Sequence, residues 1–341
     1  MHSMHRSCFL GCGGRARGHA QAYKHVTRGE MVAICDMDEE RLSSFGDDFG
    51  VETRYTDMVE MIEKEKPDLL HIVTLPTIRY SLMKIAADMG VPAVIVEKPI
   101  ALQSEDYLEI RTLLDTDTKF IVNTQLHFHP NNLILGDAVR GGAIGDIRFV
   151  DASARSTPID QGPHVLELVS SYLGLIAPTQ VFGQVSGAAH MSSSQPSPQH
   201  GSAAVTYEGG IRAQVTFGTE SAPRIWDSDS TVMHKRIAVY GTEGWAHWYM
   251  AGWEKFTQEG GYESGSHSYG EQDLLAQAGL TDAAFEWMAD DAVGHPTCLS
   301  NSLNEFGILL GMYTSSLTRQ PVALPFDPPA NLLTDLAEAL A

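Results

Sequence analysis

Two side chains in this 341-residue sequence are placed for proton chemistry: a lysine that ends a β-branched run, and a histidine four residues after an aspartate. The lysine is Lys98, in Val91-Pro92-Ala93-Val94-Ile95-Val96-Glu97-Lys98-Pro99. The apolar run reads as a short strand buried on both faces, as parallel strands under helices are. Pro99 cannot donate to a sheet ladder and biases Lys98 toward extended backbone, so the strand ends at the charges. Glu97 and Lys98 then stand at the carboxyl end of a central strand, where open α/β sheets bind their ligands. A partly desolvated lysine there can donate a proton or a hydrogen bond to a substrate oxygen. Taken alone, an ordinary strand-end lysine in solvent explains the same residues.

The histidine is His164, in Asp160-Gln161-Gly162-Pro163-His164-Val165-Leu166-Glu167. Asp160 is expected to cap a helix whose first turn tolerates Pro163. Asp160 lies about one turn before His164, and Glu167 shares its face. The helix dipole favours a neutral His164, which a general base requires. The plainer alternative is a capping aspartate beside a histidine bonded to its own helix.

A third signal precedes both. Arg6 to Leu10 reads as a strand, and Gly11-Cys12-Gly13-Gly14-Arg15-Ala16 follows at once as G-x-G-x-x-A. In that pattern Gly11 makes the tight turn, Gly13 admits a pyrophosphate and Ala16 lets the next helix pack closely. The N-terminus of that helix faces the phosphates. A glycine triplet alone is weak, but here a second strand, Met31 to Cys35, ends in Asp36. An acid about 20 residues beyond the fingerprint reads a ribose 2′-hydroxyl. Asp36-Met37-Asp38 has no basic residue before Arg41 and would repel a 2′-phosphate, so NAD is expected over NADP.

These groups need a scaffold, and the pattern supplies one. Helical stretches at 38–49, 57–64, 79–89 and 104–114 alternate with strands at 68–73, 91–97 and 120–126. Thr74-Leu75-Pro76 ends its strand at the same sheet edge. This alternation predicts a doubly wound parallel sheet, a Rossmann domain over residues 1–123. Beyond it the chain turns to short alternating strands, such as Ile211, Ala213, Val215 and Phe217 set against Arg212, Gln214 and Thr216. Glu208-Gly209-Gly210 is a hairpin turn, and residues 191–202 read as a loop. Residues 124–341 are expected to form an α+β domain for substrate binding and oligomerisation. Its mostly antiparallel sheet is open-faced, and its last helix is free to pack back on the first domain.

Composition sets the class. The chain is 43% hydrophobic and 19% charged, ordinary for a globular protein with large cores. A net charge of −20 argues against nucleic acid as a partner, and no apolar run has the length of a membrane span. Four cysteines without a C-x-x-C pair fit a reduced, cytoplasmic protein with no cysteine-based zinc site. No metal is expected: His127-Phe128-His129 pairs two imidazoles but has no identifiable further ligand.

With these pieces in place the chain resembles the Gfo/Idh/MocA oxidoreductases, which include glucose–fructose oxidoreductase and inositol 2-dehydrogenase. The resemblance rests on Gly11-x-Gly13-x-x-Ala16, Thr74-x-Pro76, Glu97-Lys98-Pro99 and Asp160-x-Gly162-x-His164. Gly141-Gly142-Ala143-Ile144-Gly145-Asp146-Ile147 and Gly241-Thr242-Glu243-Gly244 add to it. It implies catalytic roles for Lys98, Asp160 and His164, and hydride transfer between a secondary alcohol carbon and NAD. Cofactor contacts are expected at Gly11, Cys12, Gly13, Gly14, Arg15, Ala16, Asp36, Thr74, Pro76, Glu97, Lys98 and Gln125. Substrate contacts are expected at Lys98, His127, Arg155, Asp160 and His164. Glu167 stands where the family's motif usually has a second aspartate, and His127 where an arginine usually precedes the phenylalanine.

The expected activity is a sugar, inositol or polyol dehydrogenase working as a homodimer or homotetramer. Two alternatives keep the cofactor site: an enzyme that retains NAD and cycles through a keto-sugar, and a regulator that has lost catalysis. Trp226, Trp245, Trp248 and Trp253 could stack on a sugar, although tryptophans in such sheets more often belong to a core or an interface.

Overall fold

In the N-terminal 123 residues the apolar runs become parallel strands and the stretches between them become helices. The computed structural model describes residues 4–225 and 227–341. In chain order the elements are β1 (His5–Leu10), α1 (Gly14–Ala22), β2 (Gly29–Cys35), α2 (Glu39–Phe49), β3 (Arg54–Tyr55) and α3 (Met58–Glu65). There follow β4 (Leu69–Ile72), α4 (Arg79–Asp88), β5 (Ala93–Glu97), α5 (Ser104–Arg111) and β6 (Lys119–Asn123). The six strands pair in parallel in the order β3-β2-β1-β4-β5-β6. Strand order reverses between β1 and β4, the switch point at which such sheets bind ligands.

Local chemistry explains the boundaries. The Asp38 side chain caps α2 by accepting from Arg41 N at 3.0 Å, and Gly50 closes that helix at φ 68°. Asp57 caps α3 in the same way at Glu60 N. Every residue of β4 and β5 is buried, which their unbroken apolar runs require.

The chain divides into two compact units. The first comprises the chain up to Ala101, Glu109–Phe128 and Gly270–Ser300. The second comprises Leu102–Leu108, His129–Tyr269 and Asn301–Ala341. The first unit thus takes in most of α8 (Tyr269–Ala289), far down the chain. Ala278, Leu280, Ala284 and Phe285 of that helix share a core with Leu69, Ala93, Ile95 and Ile121 of the parallel sheet. The edge of β6 is closed as well: Val122 N donates to Thr297 O at 2.9 Å, and Ile121 bridges to Cys298. The unpaired ladder groups of an edge strand are thereby covered.

The second unit holds α6 (Pro130–Arg140), β7 (Ile147–Ala154), α7 (Pro158–Tyr172), β8 (Pro178–Ser186), β9 (His200–Tyr207) and β10 (Arg212–Phe217). After these come β11 (Arg236–Gly241), β12 (Gly244–Tyr249), β13 (Gly252–Thr257) and β14 (Gly261–Ser266), then most of α9 (Leu299–Thr318), β15 (Val322–Ala323) and α10 (Leu332–Leu340). The nine strands run β14-β13-β12-β11-β7-β10-β9-β8-β15, antiparallel except for the β7–β10 pair. Glu208–Gly210 is the turn between β9 and β10, with Gly209 and Gly210 at φ 76° and 79°.

One face of this sheet is core: Val150, Ala152, Ala213, Val215, Phe217, Ile237, Val239 and Trp248 are buried, and α7 packs on β7, β10 and β11. On the other face the register lines up Phe149, Tyr240, Trp245, Phe256 and Tyr262 as directly paired residues across β7, β11, β12, β13 and β14. All but Trp245 in that row are exposed. Trp253 pairs with Trp248, so both share the covered face. Trp226 lies outside the described residues. Among the described residues no helix is long and apolar enough to cross a membrane.

Candidate active site

The glycine turn joins β1 to α1, and its backbone accounts for its sequence. Gly11 sits at φ +96°, and a Cβ there would lie 2.4 Å from the carbonyl oxygen of Val73. Gly11 N donates to Cys35 O at 2.8 Å, which pins the turn between its two neighbouring strands. A Cβ on Gly13 or Gly14 would meet nothing within 4 Å, so the backbone is open beyond the turn. Gly13 is the cap of α1 and Ala16 is fully buried against the core. An open helix N-terminus on a glycine turn suits the pyrophosphate of a dinucleotide, and the residues present fit NAD.

Asp36 ends the next strand. Its Oδ2 accepts from Cys12 N at 2.8 Å and its Oδ1 from Asp38 N at 2.9 Å. The Arg41 guanidinium lies 3.3 Å from Asp38 and 3.5 Å from Asp36. The Cys12 thiol is buried, and burial followed by the Asp36 charge pushes it up to about 12, so it stays protonated.

Thr74 and Pro76 follow β4, and Lys98 follows β5 on the same edge of the sheet. Arg79 joins the two loops. This arginine is fully buried, and it donates to Thr74 O at 3.0 Å and to Pro99 O. Burial brings its guanidinium down to about 10. Glu97 is also buried, and its Oε1 accepts from Arg15 Nε (2.8 Å), His19 Nε2 (2.8 Å) and Asn123 Nδ2 (2.7 Å). Burial alone would raise its carboxyl; the Arg15 charge and the His19 donor outweigh that and hold it well below the usual carboxylate range. Arg15 reaches on to Gln277 Oε1 at 3.3 Å. Gln125 opens a 3₁₀ turn, Gln125–Phe128, and its amide donates to Asp273 at 3.0 Å. His127 is half-buried in that turn, its ring 4.9 Å from Phe128.

In the second unit Asp160 and His164 lie on α7, but that helix begins earlier than its sequence suggested. Thr157 is the cap, Pro158 takes the first position, and Asp160 lies inside the first turn. Pro163 is therefore interior, where its missing N–H leaves the carbonyl four residues back without its helical donor. Pro158 at N1 outcompetes Asp160 at the cap because a proline ring is preorganised for that position. His164 consequently lies past the first turn, where the dipole's influence fades, so the neutrality argument from the dipole fails. The i, i+4 relation of Asp160 and His164 holds, and His164 is buried.

Asp160 is fixed from two sides: Oδ2 accepts from Ser156 Oγ at 2.7 Å and Oδ1 from Gln161 Nε2 at 3.0 Å. Lys235 was not expected here. Its buried ammonium donates to Gln161 Oε1 at 2.9 Å, which orients the amide that holds Asp160. Nothing local in the sequence marks Lys235; only the pairing of β11 beside α7 brings it there. Arg155 donates to Ala222 O at 3.0 Å. Lys98 belongs to the first unit and Asp160, His164 and Arg155 to the second. Among the described residues no three His, Cys, Asp or Glu side chains cluster as a metal site.

Comparison with known proteins agrees with the first unit's geometry. The model of an oxidoreductase family with an NAD-binding Rossmann fold matches residues 6–124. The chain is 34% identical over 152 residues to a D-apiose dehydrogenase of Paraburkholderia graminis, covering 44% of this chain and 40% of that protein. It is 28% identical over 155 residues to a myo-inositol 2-dehydrogenase of Thermotoga maritima, covering 44% and 46%. The matches span less than half the length of these curated relatives. An oxidoreductase from Agrobacterium radiobacter, solved in complex with NAD+, L-tartaric acid and magnesium, shares the fold with a TM-score of 0.80. At 19% identity, that likeness covers 94% of this chain and 98% of that one.

Proposed function

From the match of residues 6–124 to the model of the Gfo/Idh/MocA oxidoreductase family we propose that the chain is an NAD-dependent dehydrogenase of a sugar, inositol or related polyol. The observation that carries this reading lies within one sheet. The glycine turn after β1, Asp36 after β2 and Lys98 after β5 all stand at carboxyl ends of parallel strands. That edge of a doubly wound sheet is where nucleotide and substrate meet. The named activities of the D-apiose and inositol dehydrogenases support the substrate class.

In this reading residues Gly11 to Ala16 hold the pyrophosphate and Asp36 the adenosine ribose, with Thr74, Pro76 and Gln125 completing the cofactor site. When bound, the nicotinamide supplies the hydride chemistry, and the protein supplies geometry and proton handling. Lys98 stabilises negative charge on the substrate oxygen, and His164 takes the hydroxyl proton. Asp160, fixed by Ser156 and Gln161, orients His164 or holds a second hydroxyl. His127 and Arg155 bind further hydroxyls. Cys8, Cys12, Cys35 and Cys298 are free thiols, which supports a reducing, cytoplasmic setting.

A panel of aldoses, inositols and linear polyols assayed for NADH absorbance tests the proposal. Stoichiometric NADH with at least one of them is the expected result, and no reduction with any sinks it. Tightly held NAD(H) released on denaturation, with no net NADH in turnover, would replace it with a cofactor-recycling enzyme.

A further inference from the structure

The carboxylate of Glu97 ends a line of buried polar side chains that the dehydrogenase reading does not use. His19 Nε2 lies 2.8 Å from Glu97 Oε1, His19 Nδ1 lies 3.2 Å from His71 Nδ1, and His71 Nε2 lies 2.8 Å from the Tyr23 hydroxyl. Both imidazoles are buried, and the His71 ring is stacked on Phe9 at 4.3 Å and 13°. We propose that Tyr23, His71 and His19 form a one-way chain of hydrogen-bond donors ending on Glu97, and that the carboxylate so fixed positions Lys98 rather than contacting the cofactor.

The direction follows from what each group can do. An ionised carboxylate only accepts, so His19 carries its proton on Nε2. Asn123 Nδ2 also approaches that ring nitrogen, at 3.0 Å, and its N–H goes to Glu97 instead. A neutral His19 then accepts at Nδ1, so His71 donates from Nδ1. His71 Nε2 is left to accept the Tyr23 proton. One assignment satisfies all three contacts.

Neutrality is what the surroundings impose. Arg15, at the exposed end of the pair, already balances Glu97, and a buried imidazolium would add an uncompensated charge. Burial lowers both His19 and His71, and it raises the Tyr23 hydroxyl. The other charges bearing on the line are Arg79 of α4 and Asp273 and Asp282 of α8, while burial keeps the Cys8 thiol of β1 neutral. Asn123 is itself oriented by Gln277 Nε2, which donates to its Oδ1 at 2.9 Å. Two elements besides β5, α1 and β6, therefore converge on Oε1 of Glu97, and β4 and α8 back them through His71 and Gln277.

The link to Lys98 is positional. Glu97 precedes Lys98 and is fixed through its carboxylate, while Pro99 follows it and is fixed through its carbonyl by Arg79. The lysine is carried between two anchored residues. A catalytic group needs such support, because a 1 Å misplacement costs about 10²-fold in rate.

This inference rests on the dehydrogenase reading, and its test has arms that do not need turnover. In 15N-histidine protein at neutral pH, His71 is expected as the Nδ1–H tautomer and His19 as the Nε2–H tautomer. An imidazolium at His19, or averaged tautomers, overturns the donor chain. Lysines methylated with 13C report on Lys98, whose signal is assigned by its loss in Lys98→Arg. That signal should shift in His71→Phe and in the milder Tyr23→Phe; an unmoved signal in folded variants overturns the positioning role. With substrate, both variants should lose kcat, by up to about 10²-fold, with NAD affinity held within twofold. His71→Gln, which keeps an amide donor, should recover part of the loss. Weaker NAD binding with kcat unchanged would make Glu97 a cofactor contact instead. If wild-type protein reduces no NAD with any polyol, the dehydrogenase reading fails, while the 15N and 13C spectra still decide this one.

Discussion

The backbone N–H of Cys12 donates to Oδ2 of Asp36 at 2.8 Å, so the acid proposed to read the ribose also closes the glycine turn. Asp36 thus links the two halves of the proposed nucleotide site, and replacing it should be felt at both.

Cofactor choice is the first expectation. NAD should bind at least tenfold more tightly than NADP, a difference of about 1.4 kcal/mol, because Asp36 and Asp38 face a 2′-phosphate. Asp36→Ala should erase that preference, and it should also weaken the fold by about 1–3 kcal/mol through the unpaired Cys12 N–H. Titrating both nucleotides decides the matter. Equal wild-type affinities would remove the specificity role of Asp36.

The proton-handling groups give the second. Lys98→Ala should lower kcat by about 10²–10⁴-fold while NAD affinity stays nearly intact, since the proposed pyrophosphate contacts lie in the glycine turn. His164→Ala should fall in the same range, and the double variant should be scarcely worse than either single one if the two act as a unit. Additive losses in steady-state kinetics would mean independent roles. A Lys98→Ala enzyme retaining most of its activity would make the lysine structural.

Assembly is the third. The row Phe149, Tyr240, Trp245, Phe256 and Tyr262 lies on the sheet face opposite α7, with Tyr262 59% exposed. Monomers rarely expose so continuous an apolar row, so a homodimer or homotetramer through this face is expected. Light scattering should show an oligomer at micromolar concentration and a monomer for the Phe149→Lys, Tyr240→Lys double variant. A monomeric wild type would end this expectation.

Acid sensitivity is the fourth. His129 is buried among Trp248, His267 and Tyr269, and neither ring nitrogen finds a hydrogen-bond partner among the described residues. Burial, then the neighbouring His267, brings its pKa down from 6.5 to about 3. The unfolded chain therefore takes up this proton first as pH falls. The stability tied to neutral His129 is complete above about pH 6.5 and drains toward pH 3, at up to about 1.4 kcal/mol per pH unit. His129→Phe loses no hydrogen bond and should flatten that slope by one proton. Urea unfolding at pH 7 and pH 5 should show the variant gaining on wild type by up to about 2 kcal/mol; parallel curves would contradict it.

What the sequence determined by itself is local. The strand-turn-helix around Gly11, the parallel run ending at Glu97 and Lys98, and the alternation of Ala213, Val215 and Phe217 are written in periods of 2 and 3.6 and in turn residues. Neighbours along the chain suffice to enforce them. The start of α7 was less legible, because Thr157-Pro158 and Asp160 both carry capping signals and one-dimensional spacing does not rank them. Only the tertiary structure decided the rest. Glu97 meets Arg15, His19 and Asn123, and through them Gln277, because the register of β1, β4, β5 and β6 and the return of α8 bring them together. Lys235 reaches Gln161 across 74 residues for the same reason. A buried polar contact satisfies its donors with whatever the sheet register delivers, and that register is a property of the whole assembly of strands, not of any one of them.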